Sequence, residues 1–237
     1  TTLNPQHSQP STTPQPFSLT HSFYHKLLSI MKKILALFTL SAALTAISFT
    51  LENPGVGYVV GDTARDFSLQ NVDGKKVALS DMKDAKGYIV VFTCNHCPYA
   101  IAYEDRIIEL HKKYAPLGYP VVAINPNDKD VQPADSFENM KKRVKEKNIP
   151  YAYLYDQTQE IAKTYGATRT PHVYLLDKDR VVRYIGAIDD NSEDASAAKE
   201  KYVENAIEAL RAGQDVAVKQ TKAIGCGIKW SRAKTEK

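Results

Sequence analysis

Two short apolar segments stand out in the hydrophobic pattern of the chain. Residues 89–92 and 121–124 are uninterrupted apolar runs, which are typical of parallel strands covered on both faces. Between them, apolar residues recur at steps of three and four, as on one face of a helix. These positions are Ala100, Tyr103, Ile107, Leu110 and Tyr114. The pattern predicts a strand, a helix and a second strand at the centre of the fold.

Shorter strands are predicted on both sides of this unit. Two of them lie within residues 61–79 and are joined by a turn at Asp73-Gly74, where glycine tolerates positive φ. A short strand is expected at 151–155. An antiparallel hairpin is expected from 172 to 185, because two apolar segments flank a polar turn there.

Three further helices are predicted from their caps and apolar faces. Asp135, with Glu138 three residues later, has the pattern of a capping box. Asp156 is the predicted cap of the next helix, which ends at Gly166. The last helix is expected at about 195–211. The order of elements predicts an α/β protein with a central mixed β-sheet, helices on both sides and an N-terminal β-hairpin extension.

The first apolar run leads into residues 92–98, which contain Cys94 and Cys97, two of the three cysteines of the chain. A strand delivers Cys94 to a turn, and the helix is expected to start around Cys97. A thiolate at the positive end of a helix is stabilised, so the pKa of the thiol falls and the group becomes a nucleophile near neutral pH. The second thiol can then attack a mixed disulfide formed at the first.

Other uses of a Cys-x-x-Cys pair compete with redox chemistry. A structural zinc site needs a second ligand pair at similar spacing, and the remaining cysteine, Cys226, is distant and alone. Attachment of a c-type haem needs His directly after the second cysteine, where this chain has Pro98. Two buried, inert cysteines stay open as an interpretation. We expect redox chemistry, with no cofactor beyond a redox-active Cys94–Cys97 disulfide.

The early part of the chain predicts export. Met31-Lys32-Lys33 precedes an apolar stretch at 34–47, and small residues allow cleavage after Ser48. We therefore expect a mature protein in the periplasm or another extracytoplasmic compartment, without a stable membrane span. The alternative is a membrane anchor formed by an uncleaved signal. The expected division is an over-extended upstream segment at 1–30, the signal peptide at 31–48, a linker at 49–60, the main domain at 61–212 and a tail at 213–237.

Composition and charge exclude some other classes of function. The chain is 43% hydrophobic and 24% charged, which is ordinary for a globular protein. Its net charge of +4 is small, and its Lys/Arg clusters are too short to suggest a nucleic-acid partner. Three cysteines cannot form a disulfide framework. A dithiol site with one additional thiol fits this cysteine count.

Several motifs together resemble the thioredoxin fold. They are the strand–Cys-x-x-Cys–helix unit, Thr170-Pro171 before a strand, and the final hairpin and helix. The preceding segment resembles the redoxin branch of AhpC/TSA type, which includes peroxiredoxins and exported thiol–disulfide reductases. The closest group is peroxiredoxin-like thioredoxin-family proteins, and the resemblance covers about 61–230. It rests on the boxes at 93–99 (TCNHCPY), 135–140 (DSFENM), 153–156 (YLYD), 170–172 (TPH) and 225–230 (GCGIKW).

The resemblance implies roles for individual residues. Pro171 would be a cis-proline facing the dithiol, in a loop that pairs with an extended substrate backbone and keeps metals off the thiols in related folds. Cys94 would be the nucleophile and Cys97 the resolving thiol. The partners would be protein or small-molecule thiols and disulfides, with an upstream redox donor or acceptor. His96 also occurs at this place in a strongly oxidising periplasmic enzyme, so we expect a site more oxidising than thioredoxin.

Departures from the family pattern leave two alternatives open. Peroxiredoxins carry Pro-x-x-x-Thr/Ser-x-x-Cys, and aligning Cys97 with that cysteine places Cys94 where the hydroxyl belongs. Thr93 is the nearest hydroxyl, and Arg169 lies near the place of the peroxiredoxin arginine. Peroxide reduction, an antioxidant activity, is therefore the first alternative. The second is binding of Cu(I) or Zn by Cys94, Cys97 and His172, because thiolates and imidazole suit both metals.

Two questions remain open from the sequence. Cys226 is a surface thiol on the tail, a third redox partner that reaches the active site, or a packed residue anchored by Trp230. Thioredoxin buries an acidic residue before its active site, and Tyr88 lies near that place here. The general base that deprotonates Cys97 is therefore unidentified.

Overall fold

The structure is a computed structural model that describes residues 57–232. The predicted upstream segment, signal peptide and first part of the linker, at 1–56, lie outside the described residues, as do 233–237. Within the described part of the chain, no helix is long and apolar enough to cross a membrane.

A central sheet, a small second sheet and four α-helices make up the described fold. The strands are β1 (Leu69–Asn71), β2 (Lys76–Val77), β3 (Gly87–Phe92), β4 (Val121–Asn125), β5 (Ala152–Tyr155), β6 (Arg169–Thr170), β7 (His172–Asp177), β8 (Val182–Gly186) and β9 (Cys226–Gly227). The helices are α1 (Pro98–Tyr114), α2 (Phe137–Lys147), α3 (Glu160–Tyr165) and α4 (Tyr202–Arg211). Short 3₁₀ turns lie at Leu79–Asp81, Ala115–Leu117, Pro133–Asp135 and Ala195–Ala197.

The central sheet is mixed, as the sequence predicted. Its strand order is β2-β1-β5-β4-β3-β7-β8. Strand β3 is parallel to β4, and β4 is parallel to β5. Strands β1 and β2 pair antiparallel and form the expected N-terminal hairpin, which joins the sheet through β5. The second sheet contains β6 and β9.

Both faces of the central sheet are covered, because successive side chains of β3 point to opposite sides. Ile89 and Val91 belong to one buried cluster, together with Tyr103 of α1. Val90 belongs to a second buried cluster, together with Ile161 of α3. The whole of β3 is buried. This burial explains why the sequence of β3 is continuously apolar and does not alternate.

Two predicted helix starts are wrong. Ser136, and not Asp135, caps α2, with its Oγ accepting from Asn139 N at 3.4 Å. Serine caps as well as aspartate does, so Asp135 is available for other partners. The last helix begins at Tyr202, because the residues from 195 to 197 form a separate 3₁₀ turn.

The predicted cap of the third helix also differs. Helix α3 begins at Glu160 after Gln159, whose φ is 61°. Asp156 lies four residues before the start of the helix, and its Oδ2 accepts from the backbone N–H of Ala162 at 2.8 Å. Asp156 therefore binds an N–H of the first helical turn from outside the helix.

The strand pairing brings the functional segments together. In the antiparallel pairing of β3 with β7, Phe92 lies opposite His172. The segment after β3 therefore meets the segment before β7. The Thr170–Pro171 peptide bond in that second segment is cis. The expected geometry of Pro171 is thus confirmed.

Candidate active site

Cys94 and Cys97 lie where the central strand passes into the first long helix. Thr93 still continues the sheet, donating its N–H to Ile124 O at 2.8 Å. Cys97 is the N-cap of α1, and Pro98 is the first helical residue. Cys94 is 5% exposed and Cys97 is 0% exposed. Cys97 is thus fully enclosed, and Cys94 is the active-site thiol with a path to solvent.

Thr170 contacts both sulfurs. Its Oγ1 lies 3.2 Å from Cys94 Sγ, and its carbonyl oxygen lies 3.1 Å from Cys97 Sγ. The hydroxyl can donate to a Cys94 thiolate, whereas the carbonyl can only accept from a protonated Cys97. Thr170 therefore favours the state in which Cys94 carries the charge and Cys97 the proton.

The two thiols titrate as a coupled pair. The hydrogen bond between the sulfurs lowers the pKa of Cys97, and hydrogen bonds from Cys226 lower it further against the effect of burial. The same bond between the sulfurs raises the pKa of Cys94, together with burial and the Asp135 carboxylate. The sequence pattern predicted a lowered pKa at the first thiol. In the structure the two sulfurs share one proton: the hydrogen bonds of Thr170 favour it on Cys97, and those of Cys226 favour it on Cys94.

His96 is paired with a buried carboxylate. Its Nδ1 lies 2.5 Å from Asp135 Oδ2 and 3.6 Å from Cys94 Sγ. The Asp135 side chain is 0% exposed. It also accepts from Asn95 N and from Asn127 Nδ2, both at 2.7 Å. When His96 is protonated, its positive charge lies between the carboxylate and the Cys94 sulfur.

Asp135, Asn125 and Asn127 are site residues that the sequence analysis missed. Asn125 Nδ2 donates to the carbonyl of Asp135 at 2.9 Å, and Asn127 donates to its carboxylate. Both asparagines stand at or just after the carboxyl end of β4, where open α/β sheets commonly build sites. Their position at the end of a strand could have indicated a site. Their contact with the loop between the cysteines could not be predicted, because the two segments are far apart in sequence.

Asn95 fixes the loop between the cysteines. Its Nδ2 donates to Ala134 O at 3.0 Å, and its Oδ1 accepts from Tyr153 OH at 2.9 Å. Its backbone N–H donates to Asp135 Oδ1. The loop is therefore held by β5 and by the 3₁₀ turn before α2, and the position of Cys94 is well defined.

Cys94, Cys97 and His172, the predicted metal ligands, do not form a group of nearby ligand atoms in the described part of the chain. His172 is buried, its ring lies 4.9 Å from that of Tyr174, and its Nδ1 accepts from Thr168 N at 3.4 Å. His172 and Tyr174 face the same side of β7 because they are two residues apart. Burial lowers the pKa of His172 to about 4.

A different group of ligand-type side chains meets at the site. Within residues 57–232, the one group of three whose ligand atoms lie within 4.8 Å of one another is Cys94, His96 and Asp135. A thiolate, an imidazole and a carboxylate are a feasible donor set for zinc. Asp135 already accepts three hydrogen bonds within the protein.

Cys226 lies beside the dithiol and is half-buried. Strand β9 pairs antiparallel with β6, so that Cys226 stands opposite Thr170. Its N–H lies 3.3 Å from Cys97 Sγ. The interpretation as a thiol on a free surface tail is therefore wrong. The anchor is not Trp230 either, because that ring is 38% exposed and lies under Lys163 Nζ at 5.8 Å.

The two remaining candidates, Thr93 and Arg169, differ in position. Thr93 is buried and, with Cys94 and Tyr153, lines a small crevice beside the first thiol. Arg169 is exposed and donates from Nη1 to the carbonyl of Gly225 at 3.3 Å. Arg169 thus binds the tail.

Comparison with known proteins agrees with this architecture. The model of the AhpC/TSA family matches residues 60–185. The chain belongs to the AhpC/TSA family. An uncharacterized conserved protein from Geobacillus kaustophilus is 40% identical, with a TM-score of 0.70 over 74% of this chain and 94% of its own. A hypothetical protein from Sinorhizobium meliloti 1021 is 32% identical, with a TM-score of 0.70 over 75% and 97%.

More distant relatives have stated activities. Thiol-disulfide oxidoreductase ResA of Bacillus thuringiensis subsp. konkukian is 30% identical over 123 residues, which are 51% of this chain and 65% of that protein. Peroxiredoxin Q of Oryza sativa subsp. japonica, a chloroplastic protein, is 26% identical over 132 residues, or 53% and 57%. This chain thus spans less than two thirds of the length of these curated relatives.

The fold is also shared with a solved structure of lower sequence identity. A protein from Chlorobium tepidum, named for the DsbE type of thiol:disulfide interchange protein, is 21% identical, with a TM-score of 0.52 over 65% of this chain and 98% of its own. The expected thioredoxin-like fold, with a central mixed sheet flanked by helices, is confirmed.

Proposed function

We propose that this protein is a thiol–disulfide oxidoreductase that exchanges disulfides through Cys94 and Cys97. The observation that carries the proposal is the arrangement of Thr170, whose hydroxyl and carbonyl contact the two sulfurs separately. This arrangement suits a thiolate at Cys94 and a proton at Cys97. The similarity to thiol-disulfide oxidoreductase ResA supports the same activity.

In the first step, the outer thiol attacks the substrate. The proton of Cys94 passes to Cys97 along the hydrogen bond between the sulfurs, and Cys97 then donates it to Thr170 O. The Cys94 thiolate attacks one sulfur of the substrate disulfide and forms a mixed disulfide. The other substrate sulfur leaves as a thiolate and takes a proton from solvent.

In the second step, Cys97 resolves the mixed disulfide. Cys94 is bonded to substrate at this stage and no longer donates to Cys97, but the hydrogen bonds from Cys226 and from the Ala100 backbone still lower the pKa of Cys97. Cys97 loses its proton to solvent. The Cys97 thiolate attacks Cys94 Sγ, the Cys94–Cys97 disulfide forms, and the reduced substrate leaves as a thiolate. Electrons have then moved from the protein dithiol to the substrate.

The expected cellular setting is extracytoplasmic. The positively charged residues at 31–33 and the apolar stretch at 34–47 support export. The partners are thiols and disulfides of proteins or small molecules, with a redox donor or acceptor in the same compartment. Sequencing the N-terminus of the protein from membrane-free extracellular or periplasmic extract tests this proposal. A start near Phe49 is expected, and retention of residues 34–47 in a membrane fraction would contradict it.

Trapping of the mixed disulfide tests the exchange mechanism. Cys97→Ser leaves the nucleophile without its resolving partner, so a substrate disulfide should remain bound at Cys94 and be found there by peptide mapping. Cys94→Ser is the matched variant, and it should trap no substrate at Cys97, which is fully buried. Trapping at Cys97 in Cys94→Ser, with none at Cys94 in Cys97→Ser, would show that the roles are reversed.

Peroxide reduction is the second candidate. It is favoured by the Thr170 hydroxyl at 3.2 Å from Cys94 Sγ, which places a hydroxyl next to the thiol although the peroxiredoxin motif is absent. Consumption of hydrogen peroxide by the reduced protein, faster than disulfide exchange with glutathione disulfide, would support this activity over thiol–disulfide exchange.

A further inference from the structure

All three cysteines of the chain meet at one place. Cys94 and Cys97 form a buried cluster with Ala100, and Cys226 packs against it. The backbone N–H of Cys226 lies 3.3 Å from Cys97 Sγ. The thiol of Cys226 also forms a hydrogen bond with Cys97. Cys97 therefore has two cysteine neighbours, Cys94 and Cys226.

The tail is held against the site by specific contacts. Cys226 pairs with Thr170, and Gly227 with Arg169, in the antiparallel pairing of β6 and β9. Gly225 allows this close approach, because a Cβ there would lie 2.2 Å from Thr170 O. Beyond the strand, Ile228 is buried. The position of Cys226 next to Cys97 is thus a result of the docked tail.

Polar contacts continue this docking beyond the strand. Lys229 N donates to Asn127 Oδ1 at 2.8 Å, and Asp128 N donates to Lys229 O at 3.0 Å. Gln159 Nε2 donates to Lys229 O at 2.9 Å, and Gln159 Oε1 accepts from Ser231 N at 2.7 Å. The tail is therefore bound to the same loop that holds Asp135.

We propose that Cys226 is a third redox-active thiol, which takes over the disulfide from Cys94 by forming a bond with Cys97. This inference rests on the proposed thiol–disulfide exchange at Cys94 and Cys97. Cys94 is almost fully buried, whereas Cys226 is half-buried on an edge strand. The transfer moves the oxidised bond from the buried pair to the tail, where a second thiol substrate has better access to it.

The transfer is an isomerisation that needs no external oxidant. Cys226 loses its proton and its thiolate attacks Cys97 Sγ in the Cys94–Cys97 disulfide. The Cys97–Cys226 bond forms, the Cys94–Cys97 bond breaks, and Cys94 leaves as a thiolate. The proton lost by Cys226 ends on Cys94 or in solvent. One disulfide and one thiol are present before and after the step, and Cys94 is free again.

Disulfide mapping of two variants, each lacking one cysteine, tests the proposal. The purified Cys94→Ser and Cys226→Ser proteins are equilibrated with glutathione disulfide at low protein concentration, free thiols are alkylated, and peptides are mapped by mass spectrometry. Cys94→Ser is expected to form an intramolecular Cys97–Cys226 disulfide. Cys226→Ser is expected to form Cys94–Cys97. The wild-type protein is expected to be a mixture of molecules with one or the other disulfide, because Cys97 can form only one such bond.

The two glycines on either side of Cys226 provide a control for position. In the Cys94→Ser background, Gly225→Ala forces the tail away from Thr170, and the yield of Cys97–Cys226 should fall roughly tenfold, as expected of overpacking. Gly227→Ala is the matched control, because a Cβ there has no neighbour within 4 Å. Its disulfide yield should equal that of the background protein.

The outcomes separate this inference from the proposed function. If Cys94→Ser gives only glutathione adducts or intermolecular dimers while Cys226→Ser still forms Cys94–Cys97, the role of Cys226 is refuted and the dithiol mechanism stands. If Cys226→Ser forms no intramolecular disulfide, the proposed exchange mechanism fails, and this inference fails with it. Equal loss of yield in Gly225→Ala and Gly227→Ala would show that the docked position of the tail does not determine the bond.

Discussion

Thr170 has the most direct influence on where the charge of the dithiol lies. Its hydroxyl contacts Cys94 Sγ and its carbonyl contacts Cys97 Sγ. The hydrogen bond from the hydroxyl opposes the other effects that raise the pKa of Cys94. This role depends on one side-chain atom, so a substitution of similar shape isolates it.

Thr170→Val should raise the pKa of Cys94 further. A hydrogen bond to a charged group contributes about 1.5–3 kcal/mol, which corresponds to roughly one pKa unit or more. Exchange with a disulfide at neutral pH should therefore slow roughly tenfold. The pH dependence of Cys94 alkylation measures the shift, and Thr168→Val, at an exposed position, is the control. An unchanged pH profile would refute this role of the hydroxyl.

His96 is the second residue with a measurable effect. Its Nδ1 is 3.6 Å from Cys94 Sγ, so its protonated form stabilises the thiolate and hence the reduced state. His96→Ala should lower the reduction potential by about 30 mV, equivalent to about 1.4 kcal/mol. His96→Gln keeps a polar side chain without a positive charge and should show the same shift. A potential that is unchanged in both variants would contradict a charge effect of His96.

At the residue level, the sequence identified the thiols and Pro171 but not their supporting contacts. Cys94 and Cys97 are recognisable because two cysteines at this spacing follow a buried strand and open a helix. Asp135 was predicted as a helix cap, since local spacing alone favours that interpretation. Its actual partners are distant in sequence, and only the folded sheet brings them together.

The tail that contains strand β9 is held in place in part by Gln159. Gln159 is 1% exposed and binds Lys229 O through Nε2 and Ser231 N through Oε1. It also donates to Pro126 O at 2.6 Å. A single side chain thus links the tail to the loop after β4.

Gln159→Leu should loosen the tail without touching the thiols. Three hydrogen bonds are lost, and each contributes about 1 kcal/mol. Opening of the tail should become more frequent, and Cys226 in the reduced protein should be alkylated tenfold faster or more by these estimates. Gln157→Leu, at an exposed position nearby, should leave the rate unchanged. Equal rates in both variants would show that Gln159 does not hold the tail.

At the level of elements, apolar periodicity predicted the central sheet and helix α1 well. Both depend on continuous burial, which the residue pattern records directly. Strand β9 was not predicted, because Cys226-Gly227 is too short for any periodic signal. It exists through pairing with β6, and that pairing depends on contacts between segments far apart in sequence.

The whole molecule should lose stability in mild acid, partly through His172. Burial lowers its pKa from 6.5 to about 4, so the unfolded state binds a proton in this range that the folded state does not. Above pH 6.5 His172 is neutral in both states, so it does not make the free energy of unfolding depend on pH. As the pH falls from 6.5 toward 4, protonation of His172 in the unfolded state lowers the free energy of unfolding. The loss amounts to about 3 kcal/mol.

Denaturant unfolding at several pH values measures this contribution. The free energy of unfolding of the wild-type protein should fall more steeply between pH 6.5 and 4 than that of His172→Phe, which has no group that titrates there. The comparison removes the effects of all other titrating groups that the two proteins share. Parallel curves would show that His172 is protonated as readily in the folded as in the unfolded state.

The reduction potential of the Cys94–Cys97 pair is the most direct test of the whole account. The purified protein is equilibrated in glutathione or dithiothreitol buffers, and the free thiols are alkylated and mapped. We predict one reversible two-electron transition that forms the Cys94–Cys97 disulfide, with Cys97–Cys226 as its isomer, at a potential above about −270 mV, the value of thioredoxin. If both thiols remain reduced, or both remain blocked, at every buffer potential, thiol–disulfide exchange at this site is contradicted.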